Sequence, residues 1–404
     1  MMVDKKKKPW IHEMWSASPF NFAQEALASL PKKVEIHDTT LRDGISDPAR
    51  AISLTTPQKV KIAQVLDDLG VGRIEIGLTT ENALPELKAI TDAGVKAKTF
   101  AMTPTASFLE REWKAVDIAL KANLSGIVCN FPASKYLVEK FLPGWSMEKV
   151  LDKSVSMSTY AKERGLFVNF FAYDTTRSDL EYLERLLKAA IEEAKVDTVS
   201  IVDTLGVGSP AGIAYMVKLV KKWVDVPIEL HPHDDCGLAY ANALAGVGAG
   251  AQVLHTTVDG IGKMPATQDI VVSLRVLYGL EFKIKYNKIF QTCKFVRETG
   301  NWSIDPFRPM SGELAFGYDS DVRIDESRSQ RAPFLPEFIG HQYQILLNDK
   351  TGPEGIRWRL KELNREASDE EVNRILSEVK TMWKNRRQAL SNEEFESIVK
   401  EVLS

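Results

Sequence analysis

The spacing of apolar and polar positions changes period again and again along the chain. From Val34 onward, short runs rich in β-branched and aromatic residues alternate with longer stretches whose apolar positions recur at helical spacing, the pattern of repeated βα units. The predicted strands are Val34–Thr40, Arg73–Leu78, Ala97–Ala101, Gly126–Asn130, Leu166–Ala172, Thr198–Val202, Pro227–His231 and Val253–Val258. Helical spacing follows them, as in Val60, Ala63, Val65, Leu66 and Leu69, or Leu180, Leu183, Leu186 and Leu187. Eight units suit an α/β fold closed into a (β/α)8 TIM barrel. A doubly wound sheet commonly carries a Gly-x-Gly-x-x-Gly turn after its first strand, and none stands there. Past about residue 285 the alternation stops. The chain is Pro-rich and irregular through Asn301–Pro336, then helical at 353–364, 369–385 and Asn392–Leu403, the last behind a Ser391/Glu394 capping box. The expected layout is an N-terminal extension over 1–30, a catalytic barrel over 31–290 and a mainly helical C-terminal subdomain over 291–404.

Composition narrows the function classes. With 404 residues, 44% of them hydrophobic and 26% charged, the chain has enough apolar surface for a sizeable core. A formal net charge of −3 gives no general attraction to nucleic acid or anionic lipid, and the basic run Lys5–Lys8 reads as a solvated tail. No stretch is apolar enough for a membrane span or a secretory signal. Cys129, Cys236 and Cys293 are too few and scattered for a disulfide framework, so a cytoplasmic protein is expected. The C-terminal helices suggest a partner subunit, hence a homodimer or higher homo-oligomer.

The chemistry-bearing residues gather just past predicted strand ends, where barrel active sites are built. His231-Pro-His233 aims two imidazoles to the same side of a strand, and Asp43 adds a carboxylate from the first strand's end. Two imidazoles and one carboxylate leave coordination positions open for substrate oxygen on a divalent metal, with Mn, Mg and Zn all compatible. Taken alone, the His-x-His pair fits a structural role equally well, and Asp43-Gly44 is also a common turn dipeptide. Arg42 offers a permanent cation beside the metal, able to stabilise an enolate or to close the barrel mouth as a salt bridge. For both Arg42 and Asp43 to reach one pocket the strand alternation has to break there, which Gly44 permits.

These segments resemble the DRE-TIM metallolyase superfamily, most closely its homocitrate, isopropylmalate and citramalate synthase branch. The resemblance rests on His37-Asp-Thr-Thr-Leu-Arg-Asp-Gly44, Ile74-Glu-Ile-Gly77, Asp203-Thr-Leu-Gly206 and His231-Pro-His-Asp-Asp-Cys-Gly-Leu-Ala239. It implies that Asp43, His231 and His233 bind the metal, that Arg42 stabilises the enolate with Glu75 as the acid beside it, and that Thr204 binds a 2-oxo acid carboxylate. Gly312–Asp325 and Leu347–Leu363 resemble the synthases' small subdomains, and an acyl-CoA is then the expected co-substrate.

Several positions depart from the family pattern. Gly44-Ile-Ser46 replaces Gly-Glu-Gln, Tyr173 stands at the strand-five glutamate, and Tyr318–Arg323 replaces a His-x-Ser-Gly-x-His segment. The pair that deprotonates acetyl-CoA in the synthases is thus altered, leaving Tyr173, Tyr318 or Lys263 to serve; a tyrosine is a poor base at neutral pH unless its pKa is lowered. The loop Gly262–Thr267 has Thr267 in place of a metal-binding asparagine, a contact it would make through water, and Lys263 and Met264 where lyases carry a cysteine. Leu78, Thr79, Thr80 and Asn130 are candidate pocket lining. The reading is a metal-dependent Claisen-type condensation of an acyl-CoA with a 2-oxo acid. A metal-dependent aldolase, lyase or decarboxylase is the alternative, and a non-catalytic metabolite-binding descendant is a third.

Overall fold

The structure is a computed structural model that describes residues 8–46, 50–104, 112–318, 333–386 and 389–404. Its chain forms two compact units, one of Ser18–Ser303 and one that joins the N-terminal segment up to Ala17 with Ile304–Ser404.

The first unit is an eight-stranded closed parallel barrel. Its strands, in chain order, are β1 (Glu35–Asp38), β2 (Arg73–Leu78), β3 (Lys98–Met102), β4 (Gly126–Pro132), β5 (Phe167–Tyr173), β6 (Thr198–Asp203), β7 (Ile228–Pro232) and β8 (Val253–Thr256). Each pairs with the next in parallel, and β8 closes on β1 with Val253 opposite Glu35 and His255 opposite His37. Closure leaves no edge strand to protect. The strands are buried on both faces, which explains why they read as apolar runs. Helices such as Thr56–Leu69, Leu180–Glu192 and Pro210–Trp223 cover the outside, and Ile62, Leu66, Leu183, Leu186, Val217 and Val220 are among the residues they bury.

Ile289–Gly300 is also a helix of this first unit, anchored where Arg297 donates to the buried Asp259 carboxylate at 2.8 Å.

The barrel interior holds two adjoining sets of side chains. Phe100, Met102, Val128, Phe171 and Val202 form one apolar cluster from β3, β4, β5 and β6. Against it Arg73, His37, Glu229, His231 and His255 are buried, a polar lining that only a hydrogen-bonded network can support.

In the second unit, Ile11–His12 and Trp15–Ser16 form a short antiparallel pair, and the Trp15 ring lies 5.0 Å from Phe338. Gly317–Tyr318 pairs with Gln344–Ile345. Three helices follow, Pro353–Glu362, Asp369–Arg386 and Asn392–Leu403, the last with the capping box expected from Ser391 and Glu394. Among the described residues, no helix is long and apolar enough to cross a membrane.

Candidate active site at the barrel mouth

Strand geometry ends at Asp38, and the chain then turns on itself. The amides of Arg42, Asp43 and Gly44 all donate to the Thr39 carbonyl, and a short 3-10 helix occupies Gly44–Ser46. A helical turn replaces the strand's alternation, so neighbouring Arg42 and Asp43 both reach the mouth. Gly44 contributes through close packing and not through an unusual backbone: a Cβ there would lie 2.8 Å from the Ile261 side chain. Gly262, with φ +71°, presses against the same turn, since its Cβ would stand 2.5 Å from the Asp43 carbonyl oxygen.

His231 is the fourth residue of β7, and His233 lies just beyond its end. Their Nε2 atoms face each other at 3.3 Å. The His233 amide donates to the Asp203 carbonyl at 3.1 Å, and Gly206, with φ +59°, lies so near that a Cβ would be 2.8 Å from the His233 carbonyl oxygen. The Asp203–Gly206 loop therefore sets the backbone of His233. The Asp203 carboxylate meanwhile accepts from the Thr176 hydroxyl and the Val207 and Gly208 amides.

Asp43 Oδ2 lies 2.9 Å from His231 Nε2, 3.9 Å from His233 Nε2 and 2.9 Å from Arg42 Nη1. It is buried, yet no N–H is directed at it as a hydrogen bond. Burial would raise the Asp43 pKa, but the neighbouring Arg42 guanidinium holds it well below the usual carboxylate range. An ionised oxygen without a directed donor, converging with two imidazole nitrogens, is a donor set that a divalent cation satisfies. These three side chains each offer a ligand atom within 4.8 Å of the others, so the residues present fit a metal. His37, Glu229 and His255 form a second such group, entirely buried.

Arg42 is fixed by a fork. Its Nε donates to Glu75 Oε1 at 2.8 Å and its Nη2 to Glu75 Oε2 at 3.0 Å, while Glu75 is fully buried on β2. Both Glu75 oxygens are thereby engaged, which makes this carboxylate a clamp for the guanidinium. Thr204, just past β6, accepts from the Asp174 amide at 2.9 Å, so its own hydroxyl proton is left to donate elsewhere. Asp174 sits in left-handed backbone, takes the Ser134 hydroxyl on Oδ2, and is paired with Arg177.

Tyr173 ends β5, half-buried. Burial raises its pKa first, then the Asp174 and Asp43 charges raise it further, so the phenol is held in its neutral, proton-bearing form. The lowered pKa that a tyrosine base would need is not found. Tyr318 belongs to the second unit, where its ring is 5.7 Å from Tyr343; the rest of the Tyr318–Arg323 segment lies outside the described residues, as do all of Gly312–Asp325 beyond Tyr318 and Lys5 to Lys7 of the basic run. Thr267 has its hydroxyl directed to Asp38 Oδ2 at 2.9 Å and shared with Thr256 at 2.7 Å, which gives this threonine a partner other than a metal-bound water. Lys263 pairs with Asp235 at 2.5 Å. Of the candidate pocket lining, Leu78 is exposed at the end of β2, whereas Thr79 is buried with its hydroxyl turned to the Met102 carbonyl.

Two residues that matter here did not stand out in the sequence. Glu229 and His255 are buried inside the barrel, with His255 Nε2 2.7 Å from Glu229 Oε2 and His255 Nδ1 3.0 Å from His231 Nδ1. The signal was an ionisable residue two positions before His231 on a strand that is otherwise apolar.

A profile for HMGL-like proteins matches residues 33–296. A homocitrate synthase of Methanothermobacter thermautotrophicus is 33% identical over 395 residues, 95% of this chain and 97% of the relative. A 2-isopropylmalate synthase and an (R)-citramalate synthase of Methanocaldococcus jannaschii are each 31% identical, over 93% and 91% of this chain and 73% and 74% of the relatives. Among solved structures, a Bacillus subtilis HMG-CoA lyase shares 22% identity with a TM-score of 0.59, covering 68% of this chain and 96% of the lyase, a likeness of fold. The profile match over the whole barrel, and relatives aligned along nearly the full chain, show that the protein belongs to the HMGL-like family.

Proposed function

We propose that the protein is a metal-dependent acyltransferase that condenses the acyl group of an acyl-CoA with a 2-oxo acid in a Claisen-type reaction. The observation that carries this reading is the convergence of Asp43, His231 and His233 beside an Arg42 held rigid by Glu75. Relatives named as homocitrate, 2-isopropylmalate and citramalate synthases support it.

In this reading Asp43, His231 and His233 hold a divalent ion, Mn, Mg or Zn, which when bound supplies a Lewis acid for the oxo acid's carbonyl. Arg42 contributes a fixed positive charge where negative charge develops on oxygen, and Glu75 keeps the guanidinium in that place without reorganisation. The Thr204 hydroxyl donates to the oxo acid's carboxylate. Tyr173, neutral and proton-bearing, is assigned as a hydrogen-bond or proton donor at the mouth. Tyr318 remains our candidate for the base that takes the acyl methyl proton. The free thiols of Cys129, Cys236 and Cys293 accord with a reducing, cytoplasmic setting, and we propose a homodimer.

The test is release of free thiol when an acyl-CoA is mixed with a panel of 2-oxo acids and a divalent metal. Thiol release that stops on chelation is the expected result. A second reading, a lyase or aldolase, draws on Tyr173: a neutral phenol at the family's glutamate position removes a base that condensation needs. No thiol with any acyl-CoA, together with metal-dependent pyruvate formation from a larger oxo acid, would replace the first reading with the second. If neither occurs and a 2-oxo acid still raises the melting temperature, the protein binds a metabolite without turning it over.

A further inference from the structure

Below the mouth, a chain of buried polar side chains runs through the barrel interior to His231. Glu229 and His231 are two residues apart on β7, and His255 of β8 touches both. From these contacts we propose that Glu229 and His255 are positioning residues that select the tautomer of His231, turning its Nε2 lone pair toward Asp43 and His233.

The proton positions follow from counting donors. Glu229 Oε1 accepts from Arg73 Nη1 at 2.7 Å and from the Thr198 hydroxyl at 2.6 Å. Oε2 faces His255 Nε2 at 2.7 Å and His37 Nδ1 at 3.4 Å. A carboxylate surrounded in this way only accepts, so His255 Nε2 carries a hydrogen. With its one hydrogen on Nε2, the His255 ring presents a lone pair on Nδ1, and His231 Nδ1, 3.0 Å away, is the donor to it. What remains on His231 is a bare Nε2, 2.9 Å from Asp43 Oδ2 and 3.3 Å from His233 Nε2. The opposite tautomer would set two lone pairs against each other between His231 and His255, whereas the chosen one sets the Nε2 lone pair beside the Asp43 carboxylate, where a cation between them would be held by both.

The setting makes this selection firm. Glu229 and His255 are fully buried, and the Phe171 ring stands edge-on to His231 with centroids 5.0 Å apart. Water has no ready access to substitute for a lost partner, so each bond in the series depends on its neighbour. Partners of this kind behind metal-binding histidines fix ring orientation and ligand basicity.

The inference rests on the proposed metal reading, and the test separates the two. Zn²⁺ alone is titrated against a competing chromogenic chelator with the wild type, His255→Leu and His255→Gln. Loss of affinity of about 10- to 100-fold is expected in H255L. H255Q should recover much of it, because its amide oxygen accepts from His231 and its amide nitrogen donates to Glu229. Unchanged affinity in H255L, or equal losses in both variants, would overturn the relay while leaving the metal reading intact. A wild type that binds no Zn²⁺ would overturn both. If H255L does not fold, the ¹⁵N resonances of the histidines in metal-free wild type decide the matter. A hydrogen on His231 Nδ1 supports the proposal, and one on Nε2 contradicts it.

Discussion

Arg42 is gripped by Glu75 through two parallel N–H···O bonds, and its third nitrogen leans on Asp43. A lysine carries the charge but cannot make the fork. Exchanging Arg42 for Lys should therefore lower kcat by about 10²- to 10³-fold, the usual cost of losing a preorganised charge at a developing oxyanion. Steady-state thiol release measures it, and a loss below about tenfold would remove Arg42 from that role. Asp38 makes a different prediction. Burial raises its pKa to about 6, against hydrogen bonds from Thr40 and Thr267 that lower it. A raised carboxyl favours folding while protonated, so this contribution is complete below pH 4, declines as pH rises and is lost above about pH 6. Asp38→Asn should flatten the change in melting temperature between pH 4.5 and pH 7. Equal slopes in variant and wild type would show that Asp38 does not titrate in that window. At this scale the sequence was most legible where strand ends meet known chemistry, as at Asp43, His231 and His233. It was least legible where partners come from distant strands: Glu229 and His37 meet across 192 positions, a proximity no local pattern encodes.

The strands were readable because each is short, apolar and bounded by turns: Arg73–Leu78 falls where the pattern places it, and the other seven begin and end within two residues of their expected bounds. What the period of two could not supply was the turn after β1. Arg42 and Asp43 share the mouth because Thr39 accepts three amides in succession, a local hydrogen-bond choice invisible to hydropathy. The loop after β8 reinforces that turn through Gly262. Gly262→Ala adds a Cβ 2.5 Å from the Asp43 carbonyl oxygen in left-handed backbone, so the turn has to shift. We expect metal affinity to fall by more than about tenfold, since a donor atom displaced by even a fraction of an ångström spoils the set, while circular dichroism stays as in wild type. Unaltered affinity would mean that the two loops adjust independently.

For the molecule as a whole, the packing inside the barrel is the feature with the widest consequence. The apolar cluster around Phe100 and Phe171 lies directly against the network of Arg73, Glu229, His37 and His255 that leads to the mouth, with Phe100 4.9 Å from the His37 ring and Phe171 5.0 Å from the His231 ring. Core packing and the site thus share side chains in one barrel. The second unit shows why the C-terminal quarter was harder to read: its described strands are two residues long, and the N-terminal segment joins it from the far end of the sequence. A homodimer predicts a light-scattering mass of about twice the 45.2 kDa of the chain, and a mass equal to one chain would contradict it. The central claim, however, is the metal at the mouth, and anomalous scattering from crystals grown with Mn²⁺ and a 2-oxo acid tests it most directly. The account predicts one strong peak about 2.0–2.3 Å from an Asp43 carboxylate oxygen and from Nε2 of both His231 and His233, with the oxo acid beside Arg42. A peak elsewhere, or none at these three side chains, would contradict it.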